Sequence, residues 1–155
     1  MPGHLQSPEV AADRRLIFDF EEVEGETALE MLKTMLARVD QVGQEEGWPH
    51  RLLNRVLLCV EELSLNTLTY GRQNGMTGFQ VILTPGSEVV LLEMLDNGAP
   101  FDPTKDAPIP DLQSGIEDRP VGGLGVYLVK EMVDSFDYRR EDGWNHLQIT
   151  IRWHR

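Results

Sequence analysis

The hydrophobic positions change period along the chain, and each change marks an element. Residues 14–23, RRLIFDFEEV, are apolar and β-prone in the middle, which predicts an opening strand. From residue 25 the apolar residues Leu29, Leu32, Met35, Leu36 and Val39 recur at helical spacing, with Gly43 and Gly47 marking the end of a first helix. A second helix is predicted over 48–71, with Pro49 near its first position and Gly71 as its stop. Its apolar stripe is Leu52, Val56, Val60 and Leu63. FQVILTP and SEVVLLEMLD then read as strands joined at Pro85-Gly86.

After Asp96 the pattern dissolves. Residues 97–121 are rich in Gly, Pro, Asp and Ser, too long for an ordinary connection and the right length for a lid or binding loop. A third helix is expected from about 124 to 134. With Val126 at the origin of the wheel, Leu128, Val129, Met132 and Val133 form one arc facing the core, opposite Lys130, Glu131 and Asp134. Tyr127 falls on the polar arc, as a boundary or partner-facing residue. SFDYRRED and WNHLQITIRW close the pattern as a hairpin turning at Gly143. The order predicts an α+β fold, a two-layer sandwich in which one face of a mixed β-sheet carries three helices.

Composition narrows this further. The 155 residues suit one domain, expected over 14–155 behind a flexible tail at 1–13, with no internal repeat. A net charge of -12 argues against nucleic-acid or anionic-membrane surfaces, though not against a single nucleotide held by local donors. Cys59 is the only cysteine, which excludes an internal disulfide and a cysteine-based metal cluster and suits a reducing cytoplasm. No apolar run approaches the ~18 residues of a membrane span.

Three short motifs carry candidate chemistry. Glu62 and Asn66 stand four apart on the second helix, one above the other at the edge of the apolar stripe, with Arg55, Cys59 and Thr69 on the same side. The amide oxygen suits Mg²⁺, a hard cation, and the carboxylate suits proton acceptance, whereas Glu61 reads as a solvated surface residue. Asp96 ends an apolar strand, where a carboxylate needs a donor such as an adenine amino group; Gly98 permits close approach and Phe101 supplies an apolar wall. The run GGLG, residues 122–125, lies at the free amides of the third helix's N-terminus, an anion site, with Arg119 just before it. Taken singly, each has a plainer explanation: a solvated helix face, a simple turn, a flexible joint. The glycine run also matches neither a P-loop nor a Rossmann turn.

Their order and spacing are more telling than any one of them. EELSLNTLTYG resembles the N box, DNGAPFD the G1 box and GGLGVYLVKEMVD the G2 box of the GHKL (Bergerat) ATP-binding fold. The resemblance covers nearly the whole chain. Within that family it is nearest to the anti-sigma-factor serine/threonine kinases of the RsbW and SpoIIAB type. It implies ATP and Mg²⁺, with Asn66 as the metal ligand and Glu62 accepting the proton of a substrate hydroxyl. Asp96 would bind the adenine amino group and Gly98 would admit the base. Gly122, Gly123, Leu124, Gly125 and Val126 would supply the phosphate-binding loop and its amides, and Arg119 would be a lid residue near the γ-phosphate. Phe101 and Tyr70 complete the nucleotide set, Tyr70 standing where many relatives have His. Phosphate neutralisation would then lean on Arg119, Lys105 or the metal, because no basic residue follows Asn66 before Arg72. The partners implied are a sigma factor, a STAS-domain anti-anti-sigma protein and a second copy of the chain.

The alternative is a nucleotide-responsive binding module with little or no phosphotransfer. Having both Glu62 and Asn66 favours the kinase, since a pure binder does not need the carboxylate. Histidine autophosphorylation is disfavoured because His4, His50, His146 and His154 lie in no paired helical segment. A gyrase- or Hsp90-like ATPase needs further domains that 155 residues do not hold.

Overall fold

The computed structural model describes residues 15–20, 27–105 and 123–154. The tail at 1–13, most of the expected lid, and Arg119 and Gly122 therefore lie outside the described residues, as do the side chains of Arg72, Gln73 and Leu124. The element order is β1 (Leu16–Asp19), α1 (Ala28–Glu46), α2 (His50–Gln73), β2 (Phe79–Pro85), β3 (Val89–Asp96), α3 (Gly123–Met132), β4 (Ser135–Glu141) and β5 (Trp144–Arg152). Among the described residues, three helices and a five-stranded sheet give the expected α+β sandwich.

Local signals explain where the helices begin and end. Thr27 caps α1 by accepting from Glu30 N at 3.1 Å, and the Glu30 side chain returns a bond to Thr27 N at 3.4 Å. This reciprocal box satisfies two of the free amides of a helix start. Gly47 ends the helix in the left-handed conformation, φ 70°, which glycine adopts at least cost. Gly43, expected to mark that end, lies inside the helix and is buried. A Cβ there would come within 2.7 Å of Leu53 Cδ1 and 2.9 Å of Trp48 Cε3, so its role is close approach of α1 to α2. Gly71 departs from expectation in the same way. It does not stop α2; it is buried against Met76, and α2 runs on to Gln73 before turning at Gly75, φ 78°. Asn74 completes that end, its Nδ2 donating to Tyr70 O at 2.8 Å.

α2 is the central element. It packs on α1 to one side, on α3 to the other, and on β3 and β5 below. Leu52, Val56, Val60 and Leu63, the stripe read from the sequence, are all 0–1 % exposed. Alternate residues of β3 and β5 are buried beneath it, as a sheet with one covered face requires. α3 buries a narrower arc than its periodicity predicts. Val126, Val129 and Val133 are buried, Met132 is half-buried and Leu128 is 41 % exposed. At about 100° per residue Leu128 and Val126 lie nearly opposite each other, so a helix resting on one neighbour cannot bury both.

The sheet order is β1-β2-β3-β5-β4, and every pairing is antiparallel, so the expected mixed sheet is corrected. β3 and β4 run parallel to each other across α3, as a strand-helix-strand crossover predicts. β5 then folds back from the Asp142-Gly143 turn and inserts between them, which makes both contacts antiparallel. Both turn residues have positive φ, 52° and 81°, the geometry favoured in a two-residue hairpin. Among the described residues no helix is long and apolar enough to cross a membrane.

Replacing Gly43 by Ala is expected to cost about 1–3 kcal/mol through overpacking against Leu53 and Trp48. Gly47→Ala, with open space around its Cβ, is expected to lose only the left-handed strain of about 1 kcal/mol. Urea denaturation of the two variants checks the order.

Candidate functional site

The site begins where β3 runs out. Asp96 is half-buried, and a carboxylate there needs donors. Two reach its Oδ1: Gly98 N at 3.0 Å and Asn145 Nδ2 at 2.9 Å. Gly98 does not have positive φ, so close packing is what calls for glycine here. A Cβ at this position would stand 3.1 Å from Asp96 Oδ1 and 3.4 Å from Met76 Cβ. Asn97, between them, turns its side chain to the other side. Its Oδ1 accepts from Thr77 N and Gly78 N, both at 2.8 Å, and pins the start of β2.

A pocket of about 280 Å³ opens between this loop and α2. α2 contributes Leu63, Asn66, Thr67, Tyr70 and Gly71; the strand end and loop contribute Met94, Asp96, Gly98, Pro100 and Phe101; the β4–β5 hairpin contributes Tyr138, Asn145 and Leu147. Five residues singled out from sequence, Asn66, Tyr70, Asp96, Gly98 and Phe101, thus meet on one cavity. Its walls are mostly apolar with a few polar groups, the usual composition of a small-molecule site. Tyr70 and Phe101 stack with ring centroids 5.0 Å apart and planes at 16°, so the ring of Tyr70 packs across the gap from α2 to the loop. Asp102 turns the chain beyond Phe101 by accepting from Thr104 N at 2.8 Å, and Lys130 of α3 holds that turn through Thr104 O at 3.0 Å.

Glu62 stands one turn before Asn66 but does not line this pocket. Its carboxylate lies over Gly125, the third residue of α3, so closely that a Cβ on Gly125 would overlap it, at 2.6 Å from Glu62 Cδ. The missing side chain of Gly125 is thus the space that Glu62 occupies. Burial pushes the Glu62 carboxyl above its ordinary range, and the neighbouring negative charge of Glu61, itself exposed, pushes it the same way. The main chain of Gly123, Leu124 and Gly125 forms the first turn of α3, where amides lack intrahelical partners. Val126 is 1 % exposed, so its side chain belongs to the core and only its main chain is available to a ligand. Arg55, on the same side of α2 as Glu62, serves elsewhere. It donates to Met132 O at 3.1 Å and Arg152 O at 2.8 Å and pairs with Asp134 at 3.2 Å, tying α2 to the ends of α3 and β5. Cys59 is fully buried, and desolvation pushes its thiol up to about 12, so it is inert.

Sequence reasoning missed the polar residues of the hairpin. Asn145 is 5 % exposed; besides holding Asp96, its Nδ2 donates to Ala99 O at 2.9 Å, and its Oδ1 accepts from Tyr138 Oη at 2.5 Å and Phe101 N at 3.4 Å. Burial raises the Tyr138 phenol, which keeps it a donor. Arg140 adds a bond to Gly98 O at 2.6 Å. The signal was present: Leu147, Ile149 and Ile151 fix the inward phase of β5, and Asn145 shares it, a polar residue in a core position.

The raised Glu62 carboxyl has a sign that can be checked. Its ionised form is disfavoured in the folded state, so the stability present below the unfolded pKa is lost as pH rises through the folded one. Glu62→Gln is expected to raise the melting temperature at pH 7, with the gain shrinking as the pH falls towards 4. In carboxyl-carbon NMR titrations, Glu61→Gln is expected to lower the Glu62 midpoint without restoring it fully, because desolvation is the larger cause.

Comparison with known proteins matches this arrangement. The model of the histidine kinase-like ATPase domain matches residues 26–151, from before α1 to the penultimate residue of β5. The serine/threonine-protein kinase BtrW of Bordetella bronchiseptica is 31% identical over 113 residues, which span 72% of this chain and 79% of that protein. A match running from α1 through β5, together with a relative aligned over most of both chains, means that this chain belongs to the histidine kinase-like ATPase family and is an ATP-binding domain of that kind.

Proposed function

We propose that the protein is an ATP-dependent serine/threonine kinase of the anti-sigma-factor type, acting in the cytoplasm as a homodimer. It would bind a sigma factor and phosphorylate a STAS-domain antagonist, and the exchange of partners would regulate transcription. One observation carries the kinase reading. α2 presents Asn66 to the pocket that ends on Asp96, and one turn earlier presents Glu62, half-buried, to the first turn of α3. A domain that only bound nucleotide would have no use for a partly desolvated carboxylate at that place. The named activity of the Bordetella relative agrees with this assignment.

The residues divide the work. Asp96 accepts a hydrogen bond from the base, with Gly98 giving it room. Phe101 and Tyr70 form an apolar wall, and the free amides of Gly123, Leu124 and Gly125 meet phosphate oxygens. Asn66 suits Mg²⁺: its amide oxygen is a hard donor at the pocket wall, and this metal is commonly held by one or two protein oxygens together with phosphates and waters. Bound there, the metal would neutralise phosphate charge, a task shared with Arg119 and Lys105. Glu62 takes the proton from the attacking serine or threonine hydroxyl as its oxygen bonds to the γ-phosphorus, and the bond to the ADP oxygen breaks. Its raised pKa makes it a stronger base than an ordinary carboxylate, while the reaction depends mostly on positioning and charge.

The test is phosphotransfer from Mg-ATP to a candidate STAS-domain partner. Wild type is expected to label the partner and Glu62→Ala to label it about 10²-fold or more slowly, with ATP affinity retained. Asn66→Ala is expected to lose Mg²⁺-dependent nucleotide binding. The rate should rise with pH through a midpoint above the usual carboxylate range, and Glu61→Gln should shift that midpoint down. ATP binding without transfer to any partner would favour the nucleotide-responsive binding module instead.

A further inference from the structure

Asp96 has a partner that none of the three motifs contains. Asn145 lies on β5, 49 residues further on, opposite Asp96 in the strand register. Its amide is saturated: Nδ2 donates to Asp96 Oδ1 and Ala99 O, and Oδ1 accepts from Tyr138 Oη and Phe101 N. The two backbone contacts fix its polarity. Phe101 N–H can only donate and Ala99 O can only accept, so the end facing Phe101 and Tyr138 is the oxygen and the end facing Asp96 and Ala99 is NH₂. With Gly98 N, the Asn145 amide directs both donors among the described residues onto Oδ1. That sets the rotation of the carboxylate and leaves Oδ2 as the acceptor available to a ligand. A site that offers only an acceptor favours an exocyclic amino group and disfavours a carbonyl at the same place.

We propose that Asn145 is the positioning residue for base selection: by holding Asp96 Oδ1, and by tying Ala99 and Phe101 to the same amide, it orients Asp96 towards a 6-amino purine. The inference rests on the reading of Asp96 as the acceptor for the adenine amino group. Tyr138 acts through Asn145, and the β4–β5 hairpin thereby becomes part of the base-recognition apparatus.

The experiment is calorimetric titration of the full chain with ATP and with purine ribonucleoside triphosphate, which lacks the 6-amino group, each with Mg²⁺. Wild type is expected to prefer ATP by about tenfold or more. Asn145→Leu removes both functions of the amide. Asn145→Asp keeps the size and an acceptor for Tyr138 but replaces the donor facing Asp96. Both are expected to reduce the preference towards unity, mainly by weakening ATP, and Tyr138→Phe to reduce it in part. In phosphotransfer assays the effect should appear as a raised KM for ATP with kcat little changed. Thermal melts identify any variant that fails to fold; Tyr138→Phe, which removes only a hydroxyl, carries the test if both Asn145 variants do. A folded Asn145→Asp or Asn145→Leu protein with the wild-type preference overturns the role of Asn145, as does an unchanged preference in Tyr138→Phe when neither of the others folds. A wild-type protein that binds both nucleotides equally overturns the Asp96 reading beneath it, and one that binds neither overturns the nucleotide site itself.

Discussion

The burial of one face of α2 is the constraint on which the rest depends. Leu52, Val56, Val60 and Leu63 form the contact through which α1, α3 and the sheet hold together. Because that face is fixed, the edge beside it is fixed too, and the edge carries Glu62 and Asn66. A four-residue spacing on a rigid helix places the two groups a turn apart without dependence on any loop. The same burial has an energetic cost at Glu62, whose carboxyl is partly desolvated and raised. Stability and proposed chemistry oppose each other at that residue, a common compromise at functional sites.

Much of this was legible because helices and strands write their periods locally. The buried stripe of α2, the strands β3 and β5, and the hairpin turn at Gly143 were open to inspection in the one-dimensional text. The three motifs were legible too, since each is a short run whose chemistry is local. Errors arose where a local sign has more than one cause. Gly43 and Gly71 look like helix stops, yet both are there because a neighbouring side chain sits where a Cβ would be. Leu128 is apolar, but its helix has only one face covered. The mixed sheet expected from the element order fails at one place: the crossover leaves β3 and β4 parallel, but β5 inserts between them, so no two neighbouring strands are parallel.

What stayed hidden is long-range and polar. No spacing connects Asp96 to Asn145 or Gly98 to Arg140, because those pairs exist only once the sheet is assembled. The same holds for Gly125. Its place in a glycine run suggests a phosphate loop, and nothing in the run reveals that a carboxylate from another helix fills the space left by its missing side chain. A motif thus identifies the groups that meet a ligand more readily than the groups that hold those in place.

The position of β5 has a consequence for how the molecule comes into being. It follows every other described element in the chain, yet it lies in the interior of the sheet, paired with β3 on one side and β4 on the other. During synthesis the helices and β1–β3 emerge first, with the inner edge of β3 unpaired and Asp96 without its amide partner. The nascent chain must keep that exposed edge from pairing with other chains until residues 144–152 arrive. Completion of the sheet and completion of the pocket are therefore one event, so a partly made chain cannot present a finished binding site.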